Sequence, residues 1–231
     1  MTGHDCSDID LRGEDMIVTK PSIKIISCND YQTMLEKLER IGRVCYKSEG
    51  NIKEGSAERF IAGILERGHE SVIEHESITV SVICDRGVTH EIVRHRLASY
   101  SQESTRYCNY SQDKFSGQIT CIDLASGFGY DLDDEKDRAK YEVWKSACEA
   151  AEAHYFKMLE LGAAPEEARS VLPNSLKTEI VMTMNLREWR HFFRLRSAKR
   201  AHPQMREVSD MILKEFSERF PLFFAGLLEN E

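Results

Sequence analysis

The chain has 231 residues, a formal net charge of −8 and 41% apolar residues, which is the profile of a globular protein with one substantial core or two small domains. The acidic balance argues against a general binder of nucleic acid or anionic membranes, because both partners select a basic surface. No stretch approaches the ~20 apolar residues of a membrane span, and the polar N terminus lacks the apolar run of a signal peptide.

The cysteines favour a reducing compartment. Their number is odd, their spacing is irregular and no CxxC pair occurs, so neither a disulfide scaffold nor a zinc ribbon is indicated. We therefore predict free thiols and a cytoplasmic location. The seven are Cys6, Cys28, Cys45, Cys84, Cys108, Cys121 and Cys148.

In chain order, residues 1–20 are polar and without periodicity, which predicts a disordered arm ahead of a domain over 21–231. A strand at 22–28 precedes a helix capped by Asn29 and Asp30. A second helix opens at Ser56 and ends at Gly68.

Beyond Gly68, the pattern continues to mix strands with helices. Since no repeat, linker or composition break interrupts it, we predict one α+β domain. The further predictions are strands at 78–84, 118–123 and 177–184, and helices at 88–93, 135–161, 165–169, 186–199 and 203–220.

Residues 94–106, RHRLASYSQESTR, form the densest cluster of anion-binding groups. Arg94, His95, Arg96 and Arg106 enclose four hydroxyl residues, and an arginine fork together with short hydroxyl donors suits phosphate. The alternative is a solvated loop with arginines on the surface. Against the acidic background of the chain, the cluster favours a local site for an anionic ligand.

A second basic cluster lies on the helix predicted at 186–199. Between Arg187 and Arg200, six Lys or Arg residues accompany one acid, Glu188. Helical spacing puts Arg187, Arg190 and Arg194 on one face and Arg196 on another. A surface helix with basic decoration explains most of these residues, but a half-buried arginine at 196 requires an acceptor.

Other chemistries have weaker support. His69 and His75 bracket two glutamates, but their spacing fits neither HExxH nor a zinc finger, so we predict no metal site. We expect His69 to donate hydrogen bonds to a ligand or to the backbone. No GxGxxG, Walker or GxSxG motif occurs. The residues alone thus indicate a site for a phosphorylated small molecule and leave its chemistry open.

The pattern RHR-x2-S-x4-S-x-R, filled by Arg94, His95, Arg96, Ser99, Ser104 and Arg106, resembles the signature of flavin-dependent thymidylate synthases. Further segments resemble the same family in the same order, so the similarity covers about residues 22–220. They are GHE-x3-EH at 68–75, THEIVRHR at 89–96, EARSVLP at 167–173 and N-x-R…LR at 185–196.

This resemblance implies reductive methylation of dUMP to dTMP. Methylenetetrahydrofolate supplies the carbon, and NADPH supplies reducing equivalents through bound FAD. It also implies a homotetramer with active sites shared between subunits, and we predict a central, mostly antiparallel sheet flanked by helices. A non-catalytic nucleotide- or flavin-binding regulatory protein on the same fold is the alternative.

The resemblance also assigns residues, with Arg196 as the catalytic cation that favours the ionised N3 of the uracil. Gln102 and Glu103 fall between the two ligands. Gln102 and His191 replace an acid and an asparagine found in some members, and both can still form hydrogen bonds. The implied FAD contacts are Ser71, Arg94, His95, Arg96, Gln102, Asn185, Arg187 and His191. The implied dUMP contacts are Glu91, Ile92, Val93, Arg94, Gln102, Glu103, Ser104, Thr105, Arg106, Arg169 and Arg196.

Overall fold

The computed structural model describes residues 16–112 and 117–227. The chain divides into two compact units. Unit 1 comprises Met1–Pro21, Cys84–Gly87 and Glu103–Thr178, and unit 2 comprises Ser22–Ile83, Val88–Gln102 and Glu179–Glu231. The assignment of 21–231 to one domain stays a prediction.

Strands and helices are mixed along the chain, as predicted. The strands are β1 (Ile17–Thr19), β2 (Ser22–Ser27), β3 (Ser77–Asp85), β4 (Ala98–Gln102), β5 (Thr120–Ile122) and β6 (Lys177–Asn185). The helices are α1 (Tyr31–Val44), α2 (Ser56–Glu66), α3 (Arg86–Ile92), α4 (Leu124–Phe128), α5 (Glu135–Glu160), α6 (Pro165–Ala168), α7 (Leu186–Arg196), α8 (Pro203–Arg219) and α9 (Pro221–Phe224).

A four-stranded sheet has the order β2-β3-β6-β4. β2 pairs with β3 and β4 pairs with β6, both antiparallel. The central strands β3 and β6 bury alternate apolar side chains, as expected where one face of a sheet covers a core. The predicted mixed architecture with an antiparallel sheet is confirmed.

Strand β4 lies inside the 94–106 motif and has no counterpart among the predicted elements. Its register with β6 runs from Ala98 opposite Met184 to Gln102 opposite Ile180. The strand is half buried and rich in serine, which is why its apolar alternation is too weak to read from sequence. The pairing brings the motif alongside the strand that leads into α7.

An aromatic core in unit 2 positions α7. Trp189, Phe192 and Phe193 are at most 1% exposed, and Phe216 of α8 lies edge-on to Trp189 with ring centroids 5.0 Å apart. Burial of such side chains contributes about 1.5–3 kcal/mol each. This packing anchors α7, so the polar side chains of the helix keep fixed positions.

The ends of α7 follow from local chemistry. Asn185 is the N-cap, and its side-chain oxygen accepts a hydrogen bond of 2.8 Å from the backbone N–H of Glu188. The helix ends at Arg196, three residues before the predicted end, with Ser197 as its C-cap. Pro203 then occupies the first position of α8, where proline is well tolerated.

Unit 1 has its own core around α5. The capping carboxylate of Asp134 accepts from two backbone N–H groups at the start of this helix, where acidic side chains are favoured. Parallel strands β1 and β5 pair beside it. The core residues are Met16, Tyr110, Ile119, Cys121, Cys148, Tyr155, Ala168 and Leu176.

Strand β1 corrects one sequence prediction. The disordered arm predicted for residues 1–20 is wrong at its C-terminal end, because Met16 is only 4% exposed and Ile17–Thr19 pair with Thr120–Ile122. Residues 1–15 lie outside the described residues. Strand pairing with a distant segment gives no local periodicity, so a three-residue strand is not visible in the sequence.

Among the described residues, none of the helices is long and apolar enough to cross a membrane.

Candidate active site

Arg196 at the end of α7 is held by three hydrogen bonds. Its Nη1 donates to Glu91 Oε2 at 2.6 Å, its Nη2 donates to the Glu91 backbone oxygen at 3.0 Å, and its Nε donates to His95 Nε2 at 3.2 Å. The side chain is 18% exposed. The acceptor that a half-buried arginine requires is therefore present, and it comes from α3 and the turn that follows. Three of the five guanidinium N–H groups are used in this way.

His95 is buried between two side chains of α7. It is 4% exposed, and its Nδ1 lies 3.0 Å from Glu188 Oε1. Burial lowers the pKa of His95, Glu188 opposes that effect, and Arg196 and His191 add to it, so that the pKa lies below its usual value. The lowered pKa favours the neutral ring of His95.

His191 and Glu188 raise the question of a metal. Together with His95 they offer ligand atoms that lie within 4.8 Å of one another. Both ring nitrogens of His95, however, already form hydrogen bonds to Glu188 and Arg196. A metal ion bound to all three side chains would have to displace one of these partners, and the absence of a metal site stays a prediction.

Arg187, Arg190 and Arg194 share another face of α7, as their spacing predicted, and there they form a separate ionic network that was not predicted. Glu70 lies 3.0 Å from Arg190 and 3.1 Å from Arg194, while Arg187 pairs with Glu74 at 2.5 Å. Burial by itself raises the pKa of Glu70, but Arg190 and Arg194 outweigh burial and the pKa is lowered. The network ties α7 to the 3₁₀ helix at Glu70–His75. Arg190 also donates to the backbone oxygen of Phe223.

The other implied FAD residues of unit 2 differ in exposure. Ser71, Arg94 and Arg96 are exposed, and Arg94 donates to the His90 backbone oxygen at 3.2 Å. His191 is exposed as well, with its ring centroid 5.7 Å from that of His95. Asn185 serves as the cap of α7, so its side-chain oxygen is already engaged.

His69 lies near an aromatic side chain of α1's C-terminal turn. Its Nδ1 is 3.0 Å from the hydroxyl of Tyr46, and both residues are exposed. The ring of Tyr46 meets that of Phe60 edge-on. This partner is a side-chain hydroxyl, not the ligand or backbone that the sequence predicted, so the predicted role of His69 stays a prediction.

Several of the residues implied for dUMP in unit 2 lie at or near the turn that follows α3. Ile92 is buried, and its backbone oxygen accepts from the hydroxyl of Tyr100 at 2.9 Å, whereas Val93 is 43% exposed. Gln102 at the end of β4 donates to Thr89 Oγ1 at 3.1 Å. Tyr100 also donates to the His95 backbone oxygen, which fixes the turn.

The remaining implied dUMP residues belong to unit 1. Arg169 donates to Thr105 Oγ1 at 3.2 Å, and Thr105 is 5% exposed. Arg106 is 54% exposed and lies 3.9 Å from Glu166. The hydroxyl of Ser104 accepts from the backbone N–H of Arg106 at 3.3 Å, as in a short turn.

Glu103 is also part of unit 1 and is largely buried. Its carboxylate accepts from Lys177 at 3.0 Å and from the hydroxyl of Tyr110 at 3.1 Å. Burial raises the pKa of Tyr110, and the charge of Glu103 raises it further. Glu103 thus has internal partners, which gives it a structural role beside the implied ligand contact.

Glu188 and Tyr100 were missed as site residues. Glu188 is the single acid in the basic segment 187–200, three residues after a capping asparagine, and this isolation was a usable signal. Tyr100 interrupts the hydroxyl run of the motif, but nothing local indicates that its hydroxyl reaches the backbone of Ile92 and His95. Both depend on contacts between distant segments.

Comparison with known proteins places the chain in a family. The family model described as thymidylate synthase complementing protein matches residues 29–222. A flavin-dependent thymidylate synthase of Pyrococcus furiosus is 38% identical over 169 residues, covering 73% of this chain and 66% of the relative. One from Geobacter sulfurreducens is 35% identical over 189 residues, covering 79% and 77%.

A solved structure shares the fold. It is the UMP/dUMP methylase PolB from Streptomyces cacaoi bound with 5-Br dUMP, with a TM-score of 0.77 and 20% identity over 92% of this chain and 97% of that chain. The match to the Pyrococcus furiosus relative spans just under two thirds of that relative's length. Taken with the matched motifs, these similarities show that the chain belongs to the family of flavin-dependent thymidylate synthases.

Proposed function

We propose that this protein catalyses the reductive methylation of dUMP to dTMP. The balanced reaction converts dUMP, 5,10-methylenetetrahydrofolate, NADPH and a proton into dTMP, tetrahydrofolate and NADP⁺. Family membership over residues 29–222 supports the reaction type. The single structural observation that carries the proposal is the fixed guanidinium of Arg196, held by Glu91 and His95 in unit 2.

A fixed, half-buried cation suits this reaction. Attack of uracil C5 on the folate methylene is favoured when negative charge on the pyrimidine ring is stabilised. Arg196 has three N–H groups engaged, and the two others have no acceptor among residues 16–112 and 117–227. These two donors are available for the ionised uracil edge, and their cation needs no reorientation on binding.

The residues of unit 2 fit a flavin cofactor. FAD carries a pyrophosphate, and exposed Arg94, Arg96 and Arg187 provide cationic donors suited to it. Ser71, Asn185 and His191 add neutral hydrogen-bonding groups. When bound, FAD supplies the hydride that completes the methyl group. The residues of this chain bind and orient it, while His95 stays neutral between Glu188 and Arg196.

The substrate proposal draws on the shared fold and on unit 1. The structural neighbour PolB was solved with 5-Br dUMP, and we propose dUMP as the substrate of this chain. In unit 1, Arg169 held by Thr105 offers a cation for a phosphate, and exposed Arg106 offers another. Ser104 adds a hydroxyl.

Assembly and location are further parts of the proposal. We propose a homotetramer with active sites shared between subunits, because large apolar side chains near the motif are exposed in the single chain: Leu97 is 70% exposed and Tyr107 is 75% exposed. The six cysteines within the described residues have free thiols, which supports the proposal of a cytoplasmic enzyme.

The experiment is a direct assay of the purified chain. We expect a yellow protein whose flavin absorbance is bleached by NADPH and which forms dTMP from dUMP and methylenetetrahydrofolate. A protein that takes up FAD and dUMP but forms no dTMP would support the non-catalytic alternative. A colourless protein that fails to take up added FAD would overturn the flavoenzyme proposal.

A further inference from the structure

A chain of hydrogen bonds links Glu188 to Arg196 through His95. Glu188 Oε1 lies 3.0 Å from His95 Nδ1, and Arg196 Nε lies 3.2 Å from His95 Nε2. Glu188, Phe192 and Arg196 follow one another at four-residue intervals on α7, so they share a face. The His95 ring packs against that of Phe192 in a tilted arrangement, with centroids 4.9 Å apart. The imidazole therefore spans two helical turns between a carboxylate and a guanidinium.

The partners of His95 determine its tautomer. An arginine N–H can only donate, so Nε2 of His95 must be the acceptor in its contact with Arg196. The ring proton then lies on Nδ1 and is donated to the carboxylate of Glu188. Glu188 as a carboxylate can only accept, which excludes the opposite tautomer.

We propose that Glu188 is a positioning residue for the methylation reaction, holding His95 in the Nδ1–H tautomer so that His95 in turn orients the guanidinium of Arg196. This inference rests on the proposed function. With the opposite tautomer, an N–H of His95 would face the N–H of Arg196, and the contact would become repulsive. Arg196 would then be held by Glu91 alone.

The charged and titratable groups around His95 agree with this role. Glu188, His191 and Arg196 face it from α7, Tyr100 approaches from β4, and Glu91 of α3 lies on the far side of Arg196. Burial raises the pKa of Tyr100 to about 12, with Glu188 adding to the rise, so Tyr100 remains a neutral donor. Burial likewise lowers the pKa of His95, and the neutral ring required by the tautomer is the favoured form.

A spectroscopic experiment tests the tautomer without any assay of turnover. Solid-state ¹⁵N spectra of histidine-labelled protein at pH 7.5 distinguish protonated from unprotonated ring nitrogens, and the His95→Gln variant identifies the His95 signals by difference. We expect a protonated Nδ1 in the wild type and a shift of the population towards Nε2–H in Glu188→Gln, because a glutamine side chain can also donate. A wild-type His95 protonated on Nε2, or no change in Glu188→Gln, would overturn the proposal.

A kinetic experiment tests the consequence for Arg196. We expect Glu188→Gln to lower kcat by about 10- to 100-fold, by analogy with the loss of a carboxylate that orients a metal-bound imidazole, with FAD content unchanged and part of the rate recovered in Glu188→Asp. Glu215→Gln, which removes an exposed carboxylate paired with Arg219 at 3.7 Å, is the control and should match the wild type. A kcat of Glu188→Gln within threefold of the wild type would contradict the positioning role.

The outcomes separate this inference from the proposed function. If the wild type forms no dTMP, the proposed reaction fails and the positioning inference falls with it, even where the ¹⁵N spectra still show the Nδ1–H tautomer. If the wild type is active but Glu188→Gln leaves the tautomer and kcat unchanged, only the positioning inference fails. About one equivalent of tightly bound metal, together with loss of activity on chelation, would replace the inference with a metal site at His95, Glu188 and His191.

Discussion

Arg196 in unit 2 and Arg106 in unit 1 are both implied substrate contacts, but their surroundings differ. Arg196 is 18% exposed and donates to Glu91 and His95 through three hydrogen bonds. Arg106 is 54% exposed, and its partner Glu166 lies 3.9 Å away and is itself 61% exposed. One cation is held by three hydrogen bonds before any ligand arrives, whereas the other has a long, exposed ion pair and a contact with the ring of Tyr107.

This difference separates two uses of positive charge. A preorganised cation stabilises charge that develops during a reaction, since no reorientation is needed at that moment. An exposed cation on a flexible side chain contributes to binding and is screened by salt. We therefore expect Arg196 to matter for turnover and Arg106 for affinity. Arg169 lies between the two cases, because Thr105 holds one of its N–H groups.

The largest expected effect comes from removing the fixed cation. Arg196→Ala should lower kcat for dTMP formation by about 10²- to 10³-fold or more, equivalent to about 2.7–4 kcal/mol of transition-state stabilisation, while FAD binding survives. The measurement is product formation at saturating substrates together with flavin absorbance. Arg200→Ala, which removes an exposed arginine just beyond α7, is the control. A loss of no more than about tenfold, or 1.4 kcal/mol, would remove the role assigned to Arg196.

The next prediction tests whether the largely buried carboxylate of Glu103 stabilises unit 1. Glu103→Ala removes the acceptor shared by Lys177 and Tyr110 and should lower the free energy of unfolding by about 1–3 kcal/mol. Urea denaturation of the ligand-free protein measures this change. The matched control is Glu166→Ala, which removes an exposed carboxylate from the same unit. Equal stabilities of the two variants would show that the Glu103 contacts contribute nothing.

A pH series tests the neutral state of His95 in unit 2. The pKa of His95 is lowered in the folded protein by burial, despite Glu188, so the unfolded chain binds the proton more readily as the pH falls below about 6.5. The free energy of unfolding should therefore decrease from pH 6.5 downward, by at most about 1.4 kcal/mol per pH unit for this one proton. His95→Gln should show a shallower slope in urea titrations between pH 6.5 and 5. An unchanged slope would mean that His95 titrates normally.

The smallest effect concerns the exposed pair of unit 1. Glu166→Gln should change the free energy of unfolding by less than about 1 kcal/mol, because both partners are more than half exposed. Thermal unfolding at low and high salt provides the measurement. A loss above 2 kcal/mol would show that Arg106 is held as firmly as Arg196, and the contrast between the two arginines would disappear.

Local patterns predicted most of the helices and the longer strands. The 26-residue helix α5 follows a capping aspartate, and α1 has Asp30 as its N-cap, as expected. The motif at 94–106 and the segments around it led to the family, which the matches to known proteins confirm. Strands β1 and β4 were missed, because each is short and depends on pairing with a segment far along the chain.

The sequence by itself determined the elements with strong local signals, the basic segments and the family, because caps, periodicity and motif spacing involve residues that are close along the chain. It did not reveal which acceptors hold Arg196, nor that Glu188 and His95 meet across 93 residues. Only the tertiary structure decided those contacts, since burial of the aromatic residues of α7 and pairing of β4 with β6 fix where Glu188 and Arg196 lie relative to His95. The physical reason is that the interaction between two charges depends on their distance and on their exposure to solvent, and packing sets both.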